Sequence, residues 1–365
     1  MPYSIYWYCF TWERKELNNI LKINSGRDYK QLNSGSIPVY GTGGYMLSVN
    51  DKLSDTDAVG IGRKGTIDKP LYLKAPFWTV DTLFYCTSKE SSDVKFIYLL
   101  FQIINWKRYD ESTGVPSLSK NTISSIKTYV PKVKEQDHIS KLFFSLDNTL
   151  QLHEDYLQLL HSFKIFLAQK MFFDDDVLPL LRFNGFTEKW SQCKLNDHTI
   201  VTMGQSPNSK NYTNNQNDEI LVQGNADLYK NKVLKRVFTT EITKTAVKND
   251  ILISVRAPVG DTARNQYKSV VIGRGIASIK GNDFLYYQLE KMKNSGFWHK
   301  YIAGSTFESI TGKDLKNAKI YTTSNDEERK IGGVFSSLTR IIQLYEHKID
   351  SLKKLKQFLL QNMFV

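Results

Sequence analysis

The sequence has few cysteines and no long apolar segment. Cys9, Cys86 and Cys193 are its three cysteines, and none belongs to a CxxC pair, which argues against a disulfide scaffold and against a zinc site. No apolar run approaches the roughly 18 residues that a membrane-spanning helix needs. Residues 1–10 are aromatic and lack the basic and then apolar order of a signal peptide. These absences predict a soluble, cytoplasmic protein.

Motifs that carry catalysis are also scarce. The sequence contains no GxxxxGK[ST] segment and no GxSxG segment, and its six histidines show no metal-binding spacing. Residues 60–65 match GxGxxG in form, but a dinucleotide-binding loop needs a helix to begin there, and residues 66–70 do not favour one. The Glu-x-Lys strings at 13–15 and 328–330 lack the upstream Pro-Asp of nuclease motifs. The sequence therefore predicts no catalytic and no metal-binding residue.

Positive charge is in excess. The 365 residues contain 49 Lys and Arg against 37 Asp and Glu, a formal net charge of +12, and residues 180–303 alone carry +8 of it. A protein that binds a polyanion has such a balance, because each neutralised phosphate releases counterions. The charge alone fits a basic protein without a nucleic-acid role equally well.

The chain repeats itself once. When the sequence is shifted by 192 positions, residues 117–172 align with residues 309–364 without a gap, and 18 of the 56 positions are identical. Upstream, Trp12 corresponds to Trp190 at an offset of 178. The segments between these anchors differ in length and in sequence. The repeat therefore predicts a duplicated scaffold that carries two different variable segments.

The repeated flank has the pattern of a long helix. No glycine or proline occurs from Glu135 to Phe172, and apolar residues recur at alternating steps of four and three in both copies, as in a coiled-coil seam. Lys164 and Lys356 interrupt the two seams at the same position. Each lysine either fixes the register or turns outward while Phe163 and Leu355 take its place. Two such helices would most simply pair antiparallel.

The variable segments have the mixed pattern of short strands and helices. The predicted strands are Ala58–Ile61, Thr79–Cys86, Glu219–Val222, Asp250–Val255 and Ser269–Ile272, and the predicted helices are Leu99–Trp106 and Phe284–Tyr301. The predicted fold class is α+β, with two mixed α/β domains in a pseudo-twofold repeat, separated by two long antiparallel coiled-coil helices. The predicted boundaries are 1–134 for the first domain, 135–173 for the first helix, 174–186 for a linker, 187–325 for the second domain and 326–365 for the second helix.

Several loops combine glycines with aromatic, basic or amide side chains. Glycines at 41–44 would let the backbone approach a phosphate or a flat surface closely. Residues 62–65 and 255–260 each contain an arginine at the end of a strand. An arginine can donate two hydrogen bonds to guanine or bind a phosphate. Amides at 205 and 223–225 could read adenine, although such residues are also common in turns. The candidate DNA-contacting residues are Tyr40, Thr42, Gly43, Gly44, Tyr45, Arg63, Lys64, Gln205, Ser206, Gln223, Asn225, Arg256, Arg274, Ser305 and Phe307.

Together these features resemble the specificity subunit of type I restriction–modification enzymes. The most specific local match is Leu181–Phe186 (LRFNGF) followed by Trp190, which resembles the family's signature at the entry to a target recognition domain. Asn184 stands where the family usually has proline. The first half keeps Trp12 but lacks the Arg-Phe-x-Gly-Phe phrase. The resemblance therefore implies an N-terminus that is either shortened or joined to a different first domain by recombination.

The resemblance implies a division of labour. Residues 1–134 and 187–325 would be target recognition domains that each read one half of an asymmetric, bipartite site in double-stranded DNA, and the helices would set the gap between the halves. Two modification (methyltransferase) subunits would bring S-adenosylmethionine and flip the target adenine, and restriction subunits would add ATP- and Mg-dependent translocation and cleavage. The chain itself would be non-catalytic and without a cofactor. Two alternatives are a coiled-coil scaffold whose ends bind proteins and an enzyme that holds a nucleotide in the loop at 60–65.

Overall fold

A computed structural model of the protein describes residues 12–172, 178–302 and 308–364. The chain divides into two compact units, one formed by residues 1–154 and 347–365 and the other by residues 155–346. Because both divisions fall inside long helices, each unit contains one globular domain and a part of both helices.

The first unit is built on two small sheets and a strand pair. Its strands are β1 (Glu13–Glu16), β2 (Leu21–Ser25), β3 (Ser34–Gly41), β4 (Gly44–Val49), β5 (Ala58–Gly62), β6 (Leu71–Leu73), β7 (Trp78–Thr79), β8 (Leu83–Ser88) and β9 (Lys127–Val130), and its helices are α1 (Leu17–Ile20), α2 (Val94–Ile103), α3 (Lys120–Ser125) and the first part of α4 (Val133–Met171). The larger sheet has the order β2-β8-β5-β6, and the smaller has the order β4-β3-β7. Strand β1 pairs antiparallel with β9 directly before α4.

The second unit contains larger versions of the same sheets. Its strands are β10 (Ser191–Lys194), β11 (Val201–Met203), β12 (Tyr212–Thr213), β13 (Glu219–Val222), β14 (Leu228–Tyr229), β15 (Lys232–Val233), β16 (Val237–Thr239), β17 (Thr245–Val247), β18 (Ile251–Ser254), β19 (Thr262–Arg264), β20 (Ser269–Ile272), β21 (Ile276–Ile279) and β22 (Lys319–Thr322), and its helices are α5 (Leu195–His198), α6 (Asp283–Asn294), α7 (Gly312–Asn317) and the first part of α8 (Asn325–Met363). One sheet has the order β11-β21-β18-β19-β15-β14 and the other has the order β12-β16-β13-β20-β17, while β10 pairs with β22.

The repeat extends to the sheet topology. The order β2-β8-β5-β6 in the first unit matches β11-β21-β18-β19 in the second. Strand β3 runs parallel to β7, as β13 runs parallel to β20. The pair β1–β9 precedes α4, as the pair β10–β22 precedes α8. The duplication therefore includes the strand framework of each domain, and the additional strands β12, β14, β15 and β17 enlarge the second copy.

The long helices pack against each other in each unit. In the first, Lys353 binds Glu154 at 2.6 Å. In the second, the rings of Tyr156 and Tyr345 lie 4.9 Å apart. The seam positions are buried or half-buried, among them Ile139, Phe143, Leu150, Leu160, Leu167, Ile331, Phe335, Leu338, Ile342 and Ile349. Residue numbers rise along one helix as they fall along the other, so the predicted antiparallel pairing holds within each unit. At about 1.5 Å per residue, each 39-residue helix is roughly 58 Å long.

The two seam lysines stay at the seam. The ammonium of Lys164 binds both carboxylate oxygens of Glu290 at 2.8 and 2.9 Å. Lys356 binds Asp147 at 2.5 Å. Phe163 and Leu355, which would replace the lysines if these turned outward, are 48% and 45% exposed. The outward alternative is therefore wrong, because each lysine finds a carboxylate close to the seam.

A four-ring aromatic cluster holds each domain onto both long helices. Each cluster takes one ring from the start of the domain, one from the domain's own helix, one from the long helix that follows the domain and one from the far end of the other long helix. The members are Trp12, Phe96, Phe143 and Phe364 in the first unit and Trp190, Phe284, Phe335 and Phe172 in the second. Neighbouring ring centroids lie 5.2–6.3 Å apart, within the range of favourable aromatic pairs.

Some predicted elements differ from the structure. The predicted strand at 79–86 is divided, because residues 80–82 turn and the amide of Leu83 donates to the carbonyl of Val80 at 3.0 Å. The predicted helix at 284–301 ends at Asn294, since Gly296 adopts a left-handed φ of +74°, and a 3-10 turn follows. The predicted helix at 99–106 begins earlier and ends at Ile103. The predicted strands at 219–222 and 269–272 coincide with β13 and β20.

Candidate nucleic-acid interface

A groove of about 800 Å³ opens at the end of β5 in the first domain. Arg63 and Lys64, two of the predicted residues, line it, and Lys120 at the start of α3 lies across from them. The guanidinium of Arg63 and the ammonium of Lys120 lie 5.9 and 5.8 Å from the centroid of the buried Phe84 ring. Two cations therefore share one aromatic ring. We call this the first groove.

The charges of the first groove are poorly balanced. Among the described residues of its lining, Glu111 is the one carboxylate, and its oxygen accepts hydrogen bonds from Ser119 at 2.9 Å and from Thr122. Within the described part of the chain, the side chains of Arg63 and Lys64 have no carboxylate partner. The groove consequently presents positive charge to solvent. Sequence reasoning missed Lys120, because a single lysine at the start of a short helix has no distinctive local pattern.

The tyrosine-rich loop lies beside the first groove and does not line it. Residues 42 and 43 form the turn between β3 and β4, and Gly44 has a left-handed φ of +108° that favours glycine. The Tyr45 side chain is 63% exposed, and its ring meets that of Tyr40 edge to face at 6.4 Å. A side-chain carbon at Gly65 would lie 3.7 Å from the hydroxyl oxygen of Thr42. The turn therefore reaches the loop that follows Lys64, so all five loop candidates lie at this end of the domain.

A second groove, of about 640 Å³, lies in the second domain. Five predicted residues from four separate stretches of sequence line it: Ser206, Gln223, Asn225, Arg256 and Arg274. The described lining contains two arginines and several amides and hydroxyls but no carboxylate. Gln205 is exposed next to Ser206 and outside the lining, while the predicted Ser305 and Phe307 lie outside the described residues. The structure thus brings together five residues that the sequence could propose only one by one.

Backbone contacts fix the loops of the second groove. The amide of Gly275 donates to the carbonyl of Gln223 at 3.1 Å, and a side-chain carbon at Gly275 would lie 2.3 Å from that oxygen. The amide of Arg274 donates to the hydroxyl of Ser206 at 3.1 Å. The buried carboxylate of Asp227 accepts the amide of Gln223 at 2.8 Å. Glycine is needed at 275 because the two loops approach too closely for a side chain.

The basic residues occupy matching positions in the two domains. Lys64 forms an isolated bridge with Ser117, and Arg256 forms the same bridge with Ser309, both at the predicted offset of 192. The hydrogen-bond register therefore aligns Lys64, and not Arg63, with Arg256. Both side chains are exposed, and neither has an ion pair within the described residues.

The described residues give no sign of a metal centre or a membrane span. No group of three or more His, Cys, Asp or Glu side chains among them is placed to hold a metal ion. No helix in the described ranges is both long and apolar enough to cross a membrane.

Comparison with known proteins identifies the family. The model of the type I restriction modification DNA specificity domain matches residues 10–161 and 187–354. The chain belongs to this family. The two matches cover both domains and most of both long helices, and the predicted recognition is confirmed.

Two proteins of Methanocaldococcus jannaschii are similar to this specificity-domain chain. The "Putative type I restriction enzyme MjaX specificity subunit" is 27% identical over 283 residues, which cover 71% of this chain and 65% of the relative. The type I restriction enzyme MjaIX specificity subunit is 29% identical over 126 residues, which cover 32% of this chain and 28% of the relative. The chain thus spans less than two thirds of the length of either relative.

Solved structures share the fold. The type I restriction–modification S subunit from M. genitalium has a TM-score of 0.71 at 14% identity, covering 98% of this chain and 97% of that one. The HsdS subunit of Thermoanaerobacter tengcongensis has a TM-score of 0.53 at 19% identity, covering 100% and 99%. A chain from a study of complex assembly and conformational transition of the type I R-M system has a TM-score of 0.60 at 19% identity, covering 96% and 97%. The predicted fold class is confirmed.

The phrase that resembles the signature of type I specificity subunits has a structural role here. Arg182 donates from Nε and Nη2 to the two carboxylate oxygens of Glu327, both at 2.8 Å, on the first turn of α8. The Glu327 side chain is fully buried and also accepts a hydrogen bond from Thr323 at 2.6 Å. The ammonium of Lys330 lies 4.7 Å from the ring centroid of Phe186. The phrase therefore ties the entry of the second domain to α8.

Proposed function

We propose that this chain is the DNA-recognition subunit of a type I restriction–modification complex, and that each domain reads one half of a bipartite, asymmetric DNA sequence. The observation that carries the proposal is the second groove, in which two exposed arginines and several amides meet and none of the described lining residues is a carboxylate. Membership of the specificity-domain family supports the same assignment.

The chemistry of both grooves suits duplex DNA. Unpaired Lys and Arg side chains gain from phosphate contact because condensed counterions are released. Arginine can also fork onto guanine, and Gln or Asn can pair with adenine in the major groove. In the second groove, Arg256 and Arg274 provide the cations while Gln223 and Asn225 provide the amides. In the first groove, Arg63 and Lys64 provide the cations, and the exposed turn at 42–45 extends the surface. Ser305 and Phe307 stay candidate contacts on sequence grounds.

The partner subunits would supply the chemistry. We propose that the chain is non-catalytic and binds no cofactor of its own, and that it assembles with two modification subunits and with restriction subunits. S-adenosylmethionine, ATP and Mg would bind to those partners. Exposed apolar side chains on the long helices, such as Phe166 and Phe358 at 46% and 60% exposure, suit subunit docking. The cytoplasmic location stays a prediction.

A map of methylated adenines tests the proposal. The map is compared between cells that carry the gene and cells that lack it, with the modification partner shown to be expressed in both. We expect one bipartite motif to lose methylation when the gene is deleted. An unchanged map would overturn the proposal and would favour the protein-binding scaffold.

Binding measurements on the assembled complex test the grooves themselves. Arg63→Ala and Arg256→Ala should each weaken DNA binding, and each lost phosphate contact should lower the slope of log K against log[salt] by about 0.9. Lys248→Ala provides a matched control, since Lys248 is exposed and lies outside the groove lining. Wild-type affinity and salt dependence in both arginine variants would contradict the contact assignment.

A further inference from the structure

The hydrogen-bond register of the two domains reveals a basic residue in the position of a predicted base reader. The amide of Gln205 donates to the carbonyl of Ile272 on β20 at 2.8 Å. In the first domain, the amide of Arg27 donates to the carbonyl of Thr79 on β7 at the same distance. Strands β7 and β20 are equivalents, since each runs parallel to the strand before the loop predicted to contact DNA. Arg27 therefore corresponds to Gln205.

The residues just before these two side chains support the alignment. Gly26 precedes Arg27, and Gly204 precedes Gln205, at the offset of 178 that also relates Trp12 to Trp190. A side-chain carbon would lie 2.0 Å from the nearest carbonyl oxygen at Gly26 and 2.1 Å at Gly204. In both domains the backbone therefore passes too close to a carbonyl oxygen to admit a side chain, and the residue that follows the glycine is exposed.

The surroundings of Arg27 leave its guanidinium available. The side chain is exposed and makes no hydrogen bond or ion pair with any described residue. Its backbone is held in place, because the indole of Trp78 donates to the carbonyl of Arg27 at 2.9 Å. Ser25, two residues earlier, lines the first groove. An arginine that has a fixed backbone, lies beside a basic groove and has no partner among the described residues is suited to ligand contact.

We propose that Arg27 is a base-reading residue of the first domain and contacts guanine where the second domain presents the adenine-reading amide of Gln205. This inference rests on the proposed function. The guanidinium fork matches the two acceptors of guanine in the major groove, whereas a glutamine amide matches the acceptor and donor of adenine. The same backbone position would thus give the two half-sites different sequences.

The test uses the chain assembled with its modification partner and the bipartite motif found by the methylation map. Binding is measured on a panel of duplexes in which each base pair of both half-sites is changed in turn. We expect Arg27→Ala to weaken binding to the cognate duplex by about tenfold or more and to abolish discrimination at one G·C pair of one half-site. Discrimination in the other half-site should be unchanged. Arg14→Ala on β1 removes the same charge from an exposed position outside the groove and should bind as wild type.

Three results would count against the inference in distinguishable ways. Wild-type binding by Arg27→Ala would overturn the contact itself. An equal loss on every duplex, with a lower salt slope, would show a phosphate contact and overturn base reading. If the wild-type complex binds every duplex of the panel equally well, the proposed function fails, and the assignment of Arg27 fails with it.

Discussion

The buried carboxylate of Glu327 offers a matched comparison between the two copies of the repeat. Glu327 and Glu135 lie at the offset of 192, each on the first turn of a long helix. Glu135 accepts one hydrogen bond, from the indole of Trp12 at 3.1 Å, and is half-buried. Glu327 is fully buried and accepts two hydrogen bonds from the guanidinium of Arg182. The substitutions Glu327→Gln and Glu135→Gln therefore remove the same charge from very different surroundings.

The expected costs follow from these contacts. Glu327→Gln removes two charge-assisted hydrogen bonds from Arg182, each contributing about 1.5–3 kcal/mol, but the amide oxygen can still accept one of them. We expect a net loss of roughly 3 kcal/mol in the stability of the second unit. Glu135→Gln weakens one partly exposed hydrogen bond and should cost the first unit about 0.5–1 kcal/mol. Amide hydrogen exchange, read separately for peptides of each unit, measures both values.

The pH dependence of the stability of the second unit gives an independent check on the role of Glu327. Burial by itself raises the pKa of Glu327, but the hydrogen bonds from Arg182 and Thr323 and the charge of Arg182 outweigh it, so the pKa lies below its ordinary value of 4.5. A carboxyl whose pKa is lowered on folding stabilises the protein above its unfolded-state pKa. That contribution is lost as the pH falls through the lower, folded-state pKa. The stability difference between wild type and Glu327→Gln should therefore narrow below about pH 4.5.

Two outcomes would refute this reasoning. Equal costs for the two substitutions would mean that the Arg182 fork adds nothing to the second unit. A difference that stays constant into acid would mean that the charge of Glu327 is not what stabilises the junction.

Two further predictions concern side chains away from the grooves. Lys164→Ala removes the ion pair between Glu290 and Lys164, whose side chain is 15% exposed. The substitution should lower the free energy of unfolding by about 1–3 kcal/mol and leave the DNA contacts intact. A thermal unfolding curve matching wild type would contradict this role. Burial raises the pKa of the Cys86 thiol to about 12, so iodoacetamide at pH 8 should modify Cys193, which is only partly buried, well before Cys86. Peptide-level mass spectrometry checks the order, and faster labelling of Cys86 would show that its site opens readily.

Local periodicity predicted the elements that depend on local sequence. The long helices follow from a seam that recurs over five heptads in both copies, and β13 and β20 follow from short β-branched runs between turn residues. The break at 80–82 was not predicted, because Asp81 is the one turn-favouring residue in an otherwise strand-favouring run from 79 to 86. A distant contact divides it: the amide of Val80 donates to the carbonyl of Tyr40 at 3.0 Å. Such a turn depends on the packing of β3, and Asp81 alone is too weak a local signal to predict it.

The candidate site shows the same limit. The members of the second groove were proposed from loop composition alone, and each was also compatible with an ordinary turn. Their convergence depends on the approach of the loop at 273–275 to Gln223, which is a tertiary contact. The sequence analysis did not single out Lys120 or Arg27, because a single basic residue at the start of a helix or the end of a strand has no distinctive pattern. The sheet topology was needed to align Arg27 with Gln205.

The internal repeat allows the two copies to be compared position by position. The aromatic clusters and the glutamates on the first turns of α4 and α8 agree between the copies, and their side chains are packed or bonded within each unit. Arg27 and Gln205 occupy one position but differ in chemistry, and both side chains are exposed. Thr82 and Gly275 accept equivalent backbone hydrogen bonds, so Asp81 stands in the first domain where the second has Arg274, an exposed reversal of charge. The two domains share one sheet topology but carry opposite charges at this position, so they present different surfaces to a ligand. Under the proposed function, these two surfaces would contact half-sites of different sequence.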